Sequence, residues 1–73
     1  MTEDEFRALL AIEGKSLRVT YLESESRFPL TGLSGGFLAI VLDTRKKQTV
    51  RHEVAKTYDK AIKAIIKSYY ANN

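Results

Sequence analysis

The chain predicts an α+β domain: a two-layer sandwich in which an antiparallel sheet of three strands, or four, is covered by an N-terminal and a C-terminal helix in the order α-β-β-β-α. Three observations predict it. Apolar residues recur at helical spacing near both ends of the chain. Between them run segments of period-2 alternation, separated by polar or glycine-bearing turns. No repeat, low-complexity tract or Pro/Gly/Ser linker divides the 73 residues, so residues 1–73 read as a single domain.

The first helix begins at Thr2. Thr2 and Glu5 have capping-box spacing, and Glu3, Asp4 and Glu5 place negative charge where the helix dipole favours it. Phe6, Leu9 and Leu10 share a face, and Gly14 is a natural stop. Leu17, Val19 and Tyr21 then alternate with Arg18 and Thr20 as a half-buried strand. Glu23-Ser24-Glu25-Ser26 reads as an exposed polar turn. In residues 27–33, Phe28, Leu30 and Leu33 call for burial, while Pro29 confines the segment to a sheet edge or a loop. Gly32, Gly35 and Gly36 mark a turn.

Residues 37–42 are apolar on both faces, as in a central strand: Phe37, Ala39 and Val41 on one, Leu38, Ile40 and Leu42 on the other. Residues 43–48 form a polar hairpin connection. Residues 49–56 read in two ways. As a strand they set Val50, His52 and Val54 against Thr49, Arg51 and Glu53. As a helix they align Val50 and Val54 with Tyr58, Ala61 and Ile65, and the last helix would start near Gln48. Three β-branched residues after a hairpin-like turn favour the strand. From Thr57 onward the helix is clear, with Asp59 in its first turn and Ala61, Ile62, Ile65 and Tyr69 facing inward. Lys56, Lys60, Lys63 and Lys67 occupy a narrow arc on the opposite side. The expected core is Leu10, Leu17, Val19, Leu38, Ile40, Ala61, Ile62 and Ile65.

Composition narrows the function. With no Cys and one His, the chain has no thiol nucleophile and no thiolate metal site. It carries no G-x-S-x-G, P-loop or H-E-x-x-H pattern, so we expect no enzyme, no metal and no cofactor. His52 reads as a core or semi-exposed imidazole. The longest apolar run, residues 37–42, is too short to span a bilayer, and Met1 to Glu5 is acidic where a signal peptide is basic. A soluble cytoplasmic domain with no membrane partner is the expectation.

The formal net charge of +3 is unevenly spread. Residues 1–14 carry Glu3, Asp4, Glu5 and Glu13 against Arg7, a balance of −3. Residues 43–73 carry Arg45, Lys46, Lys47, Arg51, Lys56, Lys60, Lys63 and Lys67 against Asp43, Glu53 and Asp59, a balance of +5. A basic stripe on a rigid element can track phosphates, although lysines on an outer helix face are also an ordinary solubilising device. The sheet face away from the helices is expected to show Arg18, Thr20, Arg51 and Glu53 beside an apolar row. The candidate nucleic-acid contacts are therefore Arg18, Arg45, Lys46, Lys47, Arg51, Lys56, Lys60 and Lys63, with DNA ahead of RNA. The alternative is a protein-interaction module: a small inhibitor, adaptor or homodimer of phage or mobile-element type.

Two family resemblances bear on this. Gly36-Phe37-Leu38-Ala39-Ile40, a basic turn, and then Val54-Ala55-Lys56-Thr57-Tyr58-Asp59-Lys60-Ala61-Ile62 resemble the end of the DNA-binding domains built from a three-stranded sheet and a helix. These are the arm-type domain of tyrosine integrases and the ethylene-response-factor domain. The resemblance implies a sheet laid in the major groove, with Arg18, Thr20 and Arg51 as base-side or phosphate contacts. The whole order of helix, three strands and helix is also similar to the double-stranded-RNA-binding domain. That resemblance implies phosphate contacts near the start of the last helix, where this chain has Lys60 and Lys63 after Tyr58 and Asp59.

Overall fold

The computed structural model describes residues 1–22 and 35–71. Helix α1 (Glu3–Ile12) starts as its cap predicts. Thr2 Oγ1 accepts the Glu5 N–H at 3.1 Å, and Glu5 Oε1 accepts the Thr2 N–H at 2.9 Å. Two N–H groups that the helix cannot satisfy internally thus find partners, an arrangement worth about 1 kcal/mol. The helix ends at Gly14, whose φ of 72° lies in the left-handed region open to a residue without Cβ. The Gly14 carbonyl accepts from both the backbone N–H and the hydroxyl of Thr44, at 3.0 and 2.7 Å.

Strands β1 (Lys15–Leu22), β2 (Gly36–Asp43) and β3 (Gln48–Ala55) form one antiparallel sheet in the order β1-β2-β3. The strand reading of residues 49–56 therefore holds, and helix α2 (Tyr58–Tyr70) starts only after it. Antiparallel partners point to the same face, so the register assigns every side chain. Leu17 opposes Val41, Val19 opposes Ala39, and Phe37 lies between Tyr21 and Ala55. This face receives the helices. On the other face Arg18 and His52 flank Ile40, Thr20 and Val54 flank Leu38, and Ser16 and Thr49 flank Leu42. Val41 opposes Arg51 but Leu42 opposes Thr49, which leaves Val50 as the extra residue of a bulge.

Helix α2 is capped by the Thr57 side chain, which accepts the Lys60 N–H at 3.2 Å. It rests on β2 and β3, while α1 rests on β1. Phe6, Leu10, Leu17, Ala39, Val41, Ala61, Ile62 and Ile65 form the core between the layers. Polar clasps join the helices at both ends. At their N-termini, Glu3 Oε2 accepts from the Tyr58 hydroxyl at 2.8 Å and from Arg7 Nε at 2.9 Å. At their C-terminal ends, the Tyr69 hydroxyl donates to Glu13 Oε1 at 2.6 Å and accepts from Lys15 Nζ at 3.0 Å. The helices thus run side by side in the same direction.

The placing of Leu9 on the apolar face of α1 and of Ile40 in the core needs correction, and Val19 sits at the margin of the core. Leu9 is 42% exposed. The buried stripe of α1 is set by Phe6 and Leu10, four residues apart, and Leu9 falls on its flank because α1 meets only the β1 side of the sheet. Val19 is half-buried against the core, and Ile40 is half-buried on the face opposite the helices. Leu38 is buried as expected, but it and Leu22 lie outside the helix-side cluster. The segments 23–26 and 27–33, including the optional fourth strand, lie outside the described residues. No helix among the described residues is long and apolar enough to cross a membrane.

Candidate functional site

Among the described residues, the sheet face away from the helices is the broad surface that they leave uncovered, with Leu22 and Leu38 buried in the half remote from the β2–β3 hairpin. Its half nearest the β2–β3 hairpin carries Ser16 and Arg18 from β1, Ile40 and Leu42 from β2, and Thr49 and His52 from β3. Arg18, Thr49 and His52 are exposed, while Ile40 and Leu42 are half-buried. Arg18 and Lys47 line one shallow depression together with Ser16, Leu42 and Thr44, and Asp43 stands at its lip. Asp43 is the only carboxylate there among the described residues, and it is already engaged. Its Oδ1 accepts the backbone N–H groups of Arg45 and Lys46, both at 3.0 Å. The Lys46 N–H is the main reason its carboxyl sits below the ordinary value, with the Arg45 N–H adding to it.

Every residue of β1, β2 and β3 on this face is neutral or cationic. The acidic strand residues Asp43 and Glu53 register opposite Gln48 and Ala39, on the helix side. Glu3 and Glu13 also lie on the helix side, held in the two clasps. Apart from Asp43 at the lip of the depression, the carboxylates of the strands and clasps thus lie on the helix side, and Arg18, Ser16 and Thr49 on the other.

The other candidates are dispersed. Arg45 and Lys46 border a recess with Ala11, Ile12 and Glu13, at the C-terminal end of α1. That helix has no basic residue in its last turn, so the hairpin supplies the cations its dipole favours. Arg51 is half-buried and opposes Val41, which puts it and Glu53 on the helix side. This corrects the expectation that Arg51 and Glu53 would join Arg18 and Thr20. Alternation alone allows either face; the packing of Ala55 against the core decides it and turns His52 and Val54 outward.

Lys56, Lys60 and Lys63 are exposed but remote from the hairpin. The eight residues of β3 separate Lys56 from it by about 26 Å at the usual strand rise, and Lys60 and Lys63 lie on α2, on the other side of the sheet from the depression. Lys63 Nζ also lies 3.1 Å from Asp59 Oδ2, so part of its charge is offset locally. The eight candidates thus form at least three groups. The groups that charge alone did not single out are Ser16, Thr44, Thr49 and His52. The alternation of β1 and the bulge in β3 bring them beside Arg18 and Lys47.

Lys47 has a second distinction. It is the one non-glycine residue with positive φ among the described residues, at 54°. A side chain in the left-handed region costs about 1–2 kcal/mol, which glycine would avoid. Among the described residues, no cluster of His, Asp and Glu is arranged to hold a metal ion. No family model, no curated protein and no solved structure matches this chain.

Proposed function

We propose that this chain is a small non-catalytic nucleic-acid-binding domain that lays the hairpin half of its helix-free sheet face against duplex DNA. The observation that carries the reading is the depression that Arg18 and Lys47 line together with Ser16, whose one carboxylate among the described residues, Asp43, is engaged by the backbone N–H groups of Arg45 and Lys46. Cations there can neutralise phosphates, and the Ser16 hydroxyl can donate to a phosphate oxygen. The dimensions are compatible. Three strands spaced about 4.8 Å apart span about 10 Å, and the major groove is about 12 Å wide. The half-buried row of Ile40 and Leu42 would meet base edges or thymine methyls, and His52 and Arg18 would flank it. The strained Lys47 supports the same reading, because unfavourable backbone retained at an exposed side chain points to a use for that side chain.

This reading narrows the contact set to Arg18 and Lys47 at the centre, with Arg45 and Lys46 as flanking charges. Arg51, Lys56, Lys60 and Lys63 fall outside it. The test is a titration of duplex DNA, duplex RNA and single strands across ionic strength. Duplex DNA should bind best, with a negative log–log salt slope. Replacing Arg18 and Lys47 together by Gln should flatten that slope by about 2 units. Absence of salt-sensitive binding to any nucleic acid at low ionic strength would overturn the proposal. The protein-interaction alternative, favoured by the half-buried aliphatic pair Ile40 and Leu42, would then take its place.

A further inference from the structure

The order β1-β2-β3 leaves two sheet edges, and they are not equivalent. The β1 edge is engaged by α1, whose Arg7 Nη1 donates to the Leu17 carbonyl at 2.8 Å. The β3 edge has no such cover among the described residues. Its residues Thr49, Val50 and His52 are exposed, with Val50 at 41%. A strand edge left open offers a row of N–H and C=O groups to another strand.

We infer that the β3 edge pairs with the β3 edge of a second copy of this chain, across a two-fold axis at His52, to make a continuous six-stranded sheet. The argument is charge self-complementarity. Arg51 and Glu53 flank His52 and lie on the same face of the strand. The ion pairs among the described residues join Arg7 to Glu3, Lys15 to Glu13 and Lys63 to Asp59; none includes Arg51 or Glu53. In an antiparallel pairing centred on His52, Arg51 opposes the partner's Glu53 and Glu53 opposes the partner's Arg51. One contact therefore supplies two ion pairs, as an isologous interface requires.

The neighbouring registers fail on charge or continuity. Centring on Glu53 sets two carboxylates face to face, and centring on Arg51 does the same with two guanidinium groups. A shift by a single residue on one strand would place helix-side residues opposite open-face residues and is excluded by the pleat. The bulge at Val50 ends the regular ladder, so the pairing is short and the dimer is expected to be concentration-dependent. The helices of both copies would lie on one side and the two Arg18–Lys47 depressions on the other. The inference does not depend on what those depressions bind.

Sedimentation velocity over a concentration series tests it, with circular dichroism to show that each variant is folded. Wild type should pass from monomer to dimer as concentration rises. Arg51→Glu and Glu53→Arg should each weaken dimerisation by at least about tenfold, because each sets like charges in opposition. The double variant that carries both changes should recover it. The chain contains no cysteine, so His52→Cys provides a clean register probe. Directly opposed residues lie within the Cα separation a disulfide spans, so this variant should cross-link on mild oxidation. Glu53→Cys, two positions out of opposition, should not. A wild type monomeric at all concentrations, a double variant that stays weak, or faster cross-linking through Glu53→Cys would each overturn the inference.

Discussion

The two faces of the sheet are built from the same three strands and have little else in common. On the helix side, Val41 and Ala39 are fully buried, and the flanking polar groups are tied to one another: Glu3 to Tyr58 and Arg7, Glu13 to Tyr69. On the open side, the hairpin half sets Arg18, Ile40 and His52 in register and none of them is buried, whereas Leu38 and Leu22 in the other half are. A chain of this size builds a small core, and its main cluster lies on the helix side. Stability is therefore concentrated on the helix side. The hairpin half of the open side is free to vary in chemistry, because a change there does not empty the core.

The largest expected effect comes from breaking the sealed side. Ile65→Ala removes a fully buried side chain of α2 and should cost about 2–5 kcal/mol, close to the whole stability of so small a domain. Leu42→Ala, on the half-buried open side, should cost about 1 kcal/mol. Urea denaturation of the two variants compares the faces directly. Equal losses would mean that the open side is packed as tightly as the core. Gly36→Ala is intermediate. A Cβ at Gly36 would stand 2.8 Å from the Ala55 carbonyl oxygen, with only backbone to give way, so a loss of about 1–3 kcal/mol is expected in the same assay.

This contrast explains what could be read from the sequence. Caps and periodicity are local, so Thr2, Gly14, Thr57 and the stripe of Ala61, Ile62 and Ile65 are visible without the fold. The strand at residues 48–55 was legible because β-branched residues follow a polar turn. Which face of that strand turns inward was not. Arg51 and Glu53 look like surface residues and His52 lies between two valines, so the pattern points the wrong way. The decision rests on one long-range contact, Ala55 with the core, and on a bulge that alternation cannot encode. The site was half legible for the same reason. Arg18 and the hairpin cations stand out by charge, whereas their separation from Lys56 and Lys60 depends on the run of β3.

Acid should loosen the caps and clasps that the carboxylates of Glu3, Glu5 and Asp43 hold. Glu3 sits below its ordinary value of 4.5, first because the Tyr58 hydroxyl donates to it and then because Arg7 does. Glu5 is lowered by the Thr2 N–H and Asp43 by that of Lys46. A carboxyl whose folded value is depressed contributes stability above its unfolded value and loses it as pH falls through the folded one. The thermal midpoint should therefore hold from neutral pH to near 4.5 and decline below it. These groups are exposed, so the decline should be gradual. Tyr58→Phe removes the main cause of the Glu3 shift and should make the curve shallower. An unchanged curve would show that the clasp at the helix N-termini contributes nothing to folding.

The smallest expected change in stability is also the one that best separates the two faces. Lys47→Gly relieves a left-handed backbone, but it adds chain entropy to the unfolded state, which offsets part of the gain. The net effect should be between about 0 and +1 kcal/mol by urea denaturation. Binding should move the other way: the salt slope on duplex DNA should flatten by about 1 unit, since one phosphate contact is gone. Lys63→Gln is the matched control on the helix side. Its ion pair with Asp59 is exposed, so stability should change by less than about 0.5 kcal/mol. Its position on α2 is far from the depression, so the salt slope should stay as it was. If Lys63→Gln flattens the slope and Lys47→Gly does not, the polyanion lies along α2. The strained lysine of the hairpin would then have no role in binding, and the open sheet face would be left to the protein partner.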